Sequence, residues 1–152
     1  MPNPFTEKGA VQRPILKYAS EIGWQVVTQD DALSLREGET GLFFYPVLKE
    51  QLLKLNPKVI TSENVDEVVN KLQNIRTTIE GNKEALEWLR GKKSVYVPAE
   101  NRERNVRLID FENFNNNVFR VTEEWSFTNG KFTNRADVVF LINGIPIVFG
   151  EN

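Results

Sequence analysis

Two acidic residues stand at the same end of a hairpin-like segment, RADVVFLINGIPIVFGEN, that closes the sequence. Asp137 precedes its first apolar run, and Glu151 follows its second. Carboxylates and water are the ligands that Mg²⁺ prefers, and a bound Mg²⁺ polarises a phosphodiester and helps to generate hydroxide. The two acids therefore predict a metal-dependent hydrolytic site, provided that they lie on one face of the hairpin.

The register of the hairpin determines whether the two acids can cooperate. With a regular two-residue Asn-Gly loop, Asp137 and Glu151 would be offset by one residue from a directly paired position across the hairpin. They would then lie on opposite faces, because side chains alternate along a strand. A longer loop or a bulge within residues 143–145 would bring both to one face. We predict such an irregularity, since Pro146 has no N–H and disfavours a perfect ladder beside the turn.

A simpler interpretation of the two acids needs no metal. In it, Asp137 pairs with Arg135 or Lys131, and Glu151 is an isolated acid at a strand end. Both situations are common at protein surfaces. The spacing alone leaves the two interpretations open.

The composition narrows the chemistry that the chain can perform. It contains no His and no Cys, which excludes Ser-His-Asp catalysis, His or Cys metal sites and disulfides. The lack of Cys also suits a cytoplasmic location, which we predict. Its 152 residues suit one domain, no segment approaches the ~20 apolar residues of a membrane span, and the start is no secretory signal. Hydrolytic chemistry would therefore rest on carboxylates, Lys and a hard cation.

Two basic clusters contrast with the net charge of −2, which argues weakly against a dedicated DNA-binding module. Lys92 and Lys93 form one cluster, and Arg102 and Arg104 belong to the other. Such cations often neutralise DNA phosphates, but they are also common on solvated surfaces. We predict that these four residues bind DNA. A role as solvated surface residues is the alternative.

Hydrophobic periodicity predicts the elements that must position these residues. A helix is predicted over residues 6–22, with Thr6 as its cap and a kink at Pro14, followed by a strand over residues 24–28 and a loop over residues 30–40. Three helices come next, and the remainder is rich in strands. The unbroken apolar runs of the closing hairpin predict central strands covered on both faces. This order predicts one α/β domain with a mainly antiparallel or mixed sheet. The later helices are predicted over residues 42–56, 64–79 and 82–90, and the later strands over residues 94–97, 105–111, 117–127, 138–142 and 145–149.

The closing segment resembles the nuclease core of the restriction (R) subunit of type I restriction-modification enzymes. That family reads Arg-x-Asp, an apolar strand, Asn-Gly-x-Pro, a second apolar strand and Glu-x-Lys. The resemblance covers nearly the whole chain. The similar stretches are TEKGAVQRPILKYASEIGW at the opening helix, LKEQLLKLNP after the first loop, and EALEWLRGKKSVYV with RNVRLIDFENFNNNVFRVTEEW before the hairpin.

The resemblance implies an endonuclease domain that depends on Mg²⁺ and has a PD-(D/E)xK nuclease-like sandwich, with a central mixed or antiparallel sheet flanked by helices. It assigns Asp137 as the metal-binding Asp, Glu151 as the acid of Glu-x-Lys and Glu7 as the acid of the first helix. For Glu7, a first-turn acid facing the helix dipole is an equal alternative. The catalytic Lys would occupy position 153. Residues 1–152 would then end inside the motif, and this fragment is expected to be inactive alone.

The resemblance also implies partners. The substrate would be double-stranded DNA, and separate specificity and methylation subunits would supply site recognition and methylation, with no membrane involved. ATP would serve only a motor that follows this segment, and no Gly-x-x-x-x-Gly-Lys-Ser/Thr loop occurs here. The alternative is a non-catalytic docking domain that has kept the nuclease fold, and the residue at position 153 would distinguish the two.

Overall fold

A computed structural model of the chain describes residues 13–129 and 132–150. Helices fill most of the first half, and the longest strands follow one another at the end. The helices are α1 (Arg13–Glu21), α2 (Gln29–Leu35), α3 (Tyr45–Leu55), α4 (Val65–Gln73) and α5 (Ile79–Leu89); the strands are β1 (Gln25–Val27), β2 (Ser94–Val97), β3 (Arg102–Asn105), β4 (Phe119–Asn129), β5 (Phe132–Ile142) and β6 (Ile145–Gly150), with a 3₁₀ helix at Phe114–Asn116.

The chain divides into two compact units. The sheet unit comprises Met1–Pro46 and Val118–Asn152, and the helical unit comprises Val47–Asn117. The sheet unit holds a four-stranded sheet of order β1-β4-β5-β6, in which β1 runs parallel to β4 and the other neighbours are antiparallel. The helical unit holds α4, α5 and the antiparallel pair of β2 and β3. The predicted α/β class with a mixed sheet is confirmed, and one domain over residues 1–152 stays a prediction.

One part of the core of the sheet unit lies between α1 and the sheet. Ala19 of α1, Val121 of β4 and Val138 of β5 form a buried cluster. Trp24 and Phe140 pack against this cluster, with their rings edge to face and 5.2 Å apart. Val138 and Phe140 therefore face α1, as the two-residue period of a strand requires. The predicted cap Thr6 lies outside the described residues.

The loop predicted over residues 30–40 is wrong, because α2 occupies much of it. Thr28 caps this helix, since its hydroxyl accepts a hydrogen bond of 3.1 Å from the backbone N–H of Asp31. Asp30 and Asp31 lie in the first turn, where acidic side chains favour the positive end of the helix dipole. Ala32 alone of this short helix is deeply buried, so too little apolar periodicity remained for the sequence to indicate a helix.

The helices of the helical unit are broken more often than their apolar spacing predicts. The segment predicted as one helix over residues 64–79 ends at Asn74, the C-cap of α4. Thr78 then starts α5, because its hydroxyl accepts from the N–H of Gly81 at 3.0 Å. A side-chain cap thus overrides the apolar positions that continued the pattern. No helix within the described ranges is long and apolar enough to cross a membrane.

The strand predicted over residues 105–111 is also wrong, because β3 ends at Asn105. The buried side chain of Asn56 supplies the hydrogen bonds that a neighbouring strand would otherwise make. Its amide donates to the carbonyl of Arg107 at 2.8 Å, and its carbonyl accepts from the N–H of Arg107 at 2.7 Å. Backbone groups satisfied in this way need no partner strand.

The two runs of the closing hairpin have different environments. β5 lies between β4 and β6, and its Val138, Val139 and Leu141 are buried. In the described part of the sheet β6 is an edge strand, and Val148 and Phe149 are about half exposed, at 52% and 47%. The prediction of a covered central strand is therefore confirmed for β5 and wrong for β6. Pro146 suits an edge, because it lacks the N–H that a further strand would need.

Candidate active site on the β4–β5–β6 sheet

The turn of the hairpin is a regular two-residue loop. Asn143 and Gly144 both have positive φ, 54° and 81°, as a type I′ turn requires. Asn143 is fully buried and bonds to Val118 twice. Its carbonyl oxygen Oδ1 accepts from the Val118 N–H at 2.7 Å, and its own N–H donates to the Val118 carbonyl at 2.8 Å. The N–H of Phe44 donates to the Gly144 carbonyl at 2.9 Å. The predicted irregularity within residues 143–145 is therefore wrong.

The irregularity lies two residues further along β6. Leu141 of β5 pairs with Pro146, but the residue before it, Phe140, pairs with Val148. Ile147 is therefore an extra residue in β6. Beyond this bulge the register is shifted by one, and Val138 pairs with Gly150. A one-residue shift is the change of parity that the shared-face prediction needs. Glu151 itself lies outside the described residues, as does Glu7.

Asp137 is a partly shielded acid of β5. Val138 faces α1, so alternation directs Asp137 to the opposite face of the sheet. Its side chain is 13% exposed, and its Oδ1 lies 3.7 Å from Nη2 of Arg135. This contact is the pairing that the metal-free interpretation predicted, although 3.7 Å is long for a charge-assisted hydrogen bond.

A second acid, Glu124, lies across from Asp137 on β4, and the sequence reasoning missed it. Glu123 pairs with Val138 and Trp125 with Ala136, which places Glu124 opposite Asp137. Glu124 has a φ of 56°, a left-handed conformation that is rare for residues with a side chain. The Oε2 atom of Glu124 lies 2.9 Å from Nη1 of Arg135. A single guanidinium thus joins two carboxylates, each at most 15% exposed, on adjacent strands.

A buried arginine fixes β4 next to this group. Arg36 is 2% exposed, and its guanidinium lies 3.9 Å from the centre of the Trp125 ring. Nη2 of Arg36 donates to the carbonyls of Ser126, at 2.7 Å, and Glu39, at 2.8 Å. Burial lowers the pKa of Arg36, and the nearby Glu39 carboxylate opposes that shift. These bonds tie the segment after α2 to β4 one residue beyond Trp125, and so hold the strand that carries Glu124.

The chemistry available to this group is that of oxygen ligands. Within residues 13–129 and 132–150 no three acidic side chains lie close enough to hold a metal ion together. Asp137 and Glu124 offer carboxylate oxygens as possible metal ligands. Both carboxylates lie beside the same cationic side chain, Arg135. Oxygen donors of this kind suit Mg²⁺ and other hard cations.

The four predicted DNA-binding cations lie in the helical unit, and three of them have acidic partners. Nζ of Lys93 lies 3.5 Å from Glu87. Arg104 donates to both oxygens of Glu100 at 2.8 Å, and Arg102 lies 3.4 Å from the same carboxylate. Burial alone would raise the pKa of Glu100, but the two arginines hold that pKa below its ordinary value. Lys92 is exposed. DNA binding by Lys92, Lys93, Arg102 and Arg104 stays a prediction.

Comparison with known proteins gives this geometry a context. Residues 4–152 match the family described as type I restriction enzyme R protein N terminus (HSDR_N). The chain is 29% identical over 152 residues to the type I restriction enzyme HindI endonuclease subunit of Haemophilus influenzae, an alignment covering 93% of this chain and 14% of that protein. It is 48% identical over 57 residues to a protein of Methanocaldococcus jannaschii provisionally named type I restriction enzyme MjaIXP endonuclease subunit, covering 35% of this chain and 5% of that protein. The chain therefore spans a small part of the length of either relative.

Proposed function

The chain belongs to the family of type I restriction enzyme R protein N-termini, and we propose that it is the Mg²⁺-dependent endonuclease domain of such an R subunit. In this proposal the sheet unit is the catalytic core of a PD-(D/E)xK nuclease, and the reaction is hydrolysis of phosphodiester bonds in double-stranded DNA. Separate specificity and methylation subunits would select the site and methylate it. The endonuclease names of both relatives support this proposal.

The one-residue shift at Ile147 is the single observation that carries the proposal. In the unshifted register of the turn, the two acids of the hairpin would project to opposite faces. The described pairing of Val138 with Gly150 has the other parity. We propose that the pairing continues by one residue, which brings Glu151 beside Asp137 on the face opposite α1.

The residues present suit a hard divalent cation. The carboxylates of Asp137 and, in this proposal, Glu151 would hold Mg²⁺ with water completing its coordination. When bound, Mg²⁺ supplies a Lewis acid that polarises the phosphodiester and lowers the pKa of water. Arg135 lies 2.9 Å from Glu124. It balances part of the negative charge around Asp137 without displacing the Asp137 carboxylate. Glu7 is proposed as a further acid of the site.

The test is a pair of assays on the whole R subunit, which in this proposal has Lys at position 153. Asp137→Asn should reduce DNA cleavage by at least about a hundredfold, because losing the anionic ligand weakens the binding of the cation that activates water. ATP hydrolysis by the motor should continue at the wild-type rate, since the motor lies elsewhere in the subunit.

Asp30→Asn is the matched control, because it makes the same chemical change at an exposed acid of α2 in the same unit. It should leave both activities unchanged. Cleavage at the wild-type rate in Asp137→Asn would show that the chemistry uses other residues. Loss of both activities in that variant would indicate a damaged fold, which a thermal unfolding measurement on the same sample would reveal.

A further inference from the structure

Two phenylalanines of the helical unit lie at the surface. Within the described ranges, nothing in their own unit covers them. Phe111 is 59% exposed and Phe114 57%. Their rings lie edge to face with centres 6.4 Å apart. Leaving two aromatic rings in water forgoes the free energy that their burial would provide. Such a pair is therefore a candidate surface for a ligand with an apolar face.

The turn that carries these rings is rigid. Both oxygens of Asp110 accept hydrogen bonds: Oδ1 accepts from the N–H groups of Glu112 and Asn113, each at 3.0 Å, and Oδ2 accepts from the Asn116 amide at 2.9 Å. The bond from Asn116 is the main cause that lowers the pKa of Asp110. The side chain of Asn117 bonds to both the N–H and the carbonyl of Asp110, at 2.8 and 2.9 Å. These bonds hold the backbone on both sides of Phe111, which reduces the entropy cost of ordering this segment on binding.

Phe111 forms one wall of a cavity of about 320 Å³, within the roughly 300–1,000 Å³ of small-ligand sites. Arg90 and Arg107 also line this cavity, and Glu112 is the one acidic residue among the described residues of its lining. Arg107 is 46% exposed, and its ion pair with Asp110, at 3.8 Å, is too long for a hydrogen bond. The lining is therefore net positive in a chain whose net charge is −2.

We propose that this cavity, here termed the Phe111 pocket, binds one unstacked base of single-stranded DNA together with its phosphate. Aromatic rings stack on the face of any base, and arginines bind phosphate through several N–H donors. A protein partner with an apolar anchor would use the rings but would gain little from two arginines. The inference rests on the proposed action on DNA, and it adds a site for an unpaired strand in the helical unit.

The experiment compares two fluorescent oligonucleotides of equal length, an oligothymidylate and an abasic strand with the same phosphates. Binding is measured by anisotropy without divalent metal. The wild-type protein should prefer the thymidylate, and Phe111→Ala should weaken thymidylate binding about tenfold, the usual loss for one stacked base. The same variant should bind the abasic strand as the wild type does. Arg90→Gln with Arg107→Gln should weaken both strands and reduce the salt dependence.

Tyr96→Ala is the matched control, because Tyr96 is another exposed aromatic of the same unit and lies outside the Phe111 pocket. It should not change the preference for bases. Phe111→Trp should keep the preference, which separates stacking from a general loss of structure. Equal binding of the two strands by the wild-type protein, or an unchanged preference in Phe111→Ala, would overturn the inference and leave these rings to a protein partner. Because binding is measured without divalent metal and on variants that keep Asp137, a failure here is distinct from a failure of the proposed cleavage site.

Discussion

At the scale of single residues, the group of Glu124, Arg135 and Asp137 shows how adjacent strands can carry two acids side by side. Arg135 contacts both carboxylates, at 2.9 and 3.7 Å, and is itself 56% exposed. An ion pair whose cation is solvated in this way contributes little to stability, about 0–1 kcal/mol. The pair with Glu124 is therefore better understood as fixing the orientation of Arg135 beside Asp137 than as stabilising the fold.

The backbone of Glu124 allows a prediction that opposes the usual rule for strands. Glycine normally weakens a strand relative to alanine. At a φ of 56°, however, alanine retains a left-handed strain of roughly 1–2 kcal/mol that glycine avoids. Both substitutions remove the ion pair with Arg135, so that effect cancels, and Glu124→Gly should be more stable than Glu124→Ala by about 1 kcal/mol in urea unfolding. An alanine variant of equal or greater stability would show that the strain is absent.

At the scale of elements, the closing hairpin is positioned by its turn and re-registered by its bulge. The buried amide of Asn143 and the Gly144 carbonyl attach the turn to Val118 and Phe44. The extra residue Ile147 then changes which face each later residue of β6 presents. Turn and bulge therefore have separate roles, one in stability and the other in register.

Substitutions of Asn143 should separate its side-chain bond from its backbone conformation. Asn143→Gly keeps the left-handed turn but leaves the N–H of Val118 without its acceptor, at an expected cost of about 1–3 kcal/mol. Asn143→Ala removes the same bond and adds roughly 1 kcal/mol of strain at a φ of 54°. Thermal or urea unfolding of the two variants gives both quantities. Equal stability of the wild-type protein and Asn143→Gly would mean that the bond to Val118 contributes nothing.

At the scale of the whole molecule, charge distribution matters more than net charge. Acidic and basic residues nearly balance, with 21 Asp and Glu against 19 Lys and Arg. Glu100 and Glu87 partner three of the four predicted DNA-binding cations. Any attraction for DNA must therefore come from local surfaces, since the overall field of the molecule does not favour a polyanion.

Reversing the charge of Lys92 and Lys93 tests whether one such surface binds DNA. The double change to Glu should weaken duplex binding, and the slope of log K against log salt should fall by roughly 0.9 for each phosphate that the protein no longer neutralises. The control reverses Lys54 and Lys83, two exposed lysines of the same unit, and so makes the same change in net charge. If both double variants weaken binding equally, only net charge is involved, and the predicted DNA-binding role is wrong.

Much of the fold follows from local patterns in the sequence. The Asn-Gly step between two apolar runs predicts the hairpin, because few residues other than Asn and Gly adopt positive φ easily. The lack of His and Cys limits hydrolytic chemistry to carboxylates, Lys and a hard cation. Two of the predictions that failed, the loop over residues 30–40 and the strand over residues 105–111, failed because side-chain bonds of Thr28 and Asn56 set the local structure. Apolar periodicity does not reveal such bonds.

By itself, the sequence determined the candidate acids, the hairpin and the α/β class, since each of these depends on residue type and short-range spacing. Only the tertiary structure determined that the bulge falls at Ile147 and that Glu124 lies opposite Asp137 with Arg135 between them. The physical reason is that register and cross-strand neighbours arise from pairing between distant segments. A shift of one residue there exchanges the two faces of a strand without any change in its local sequence.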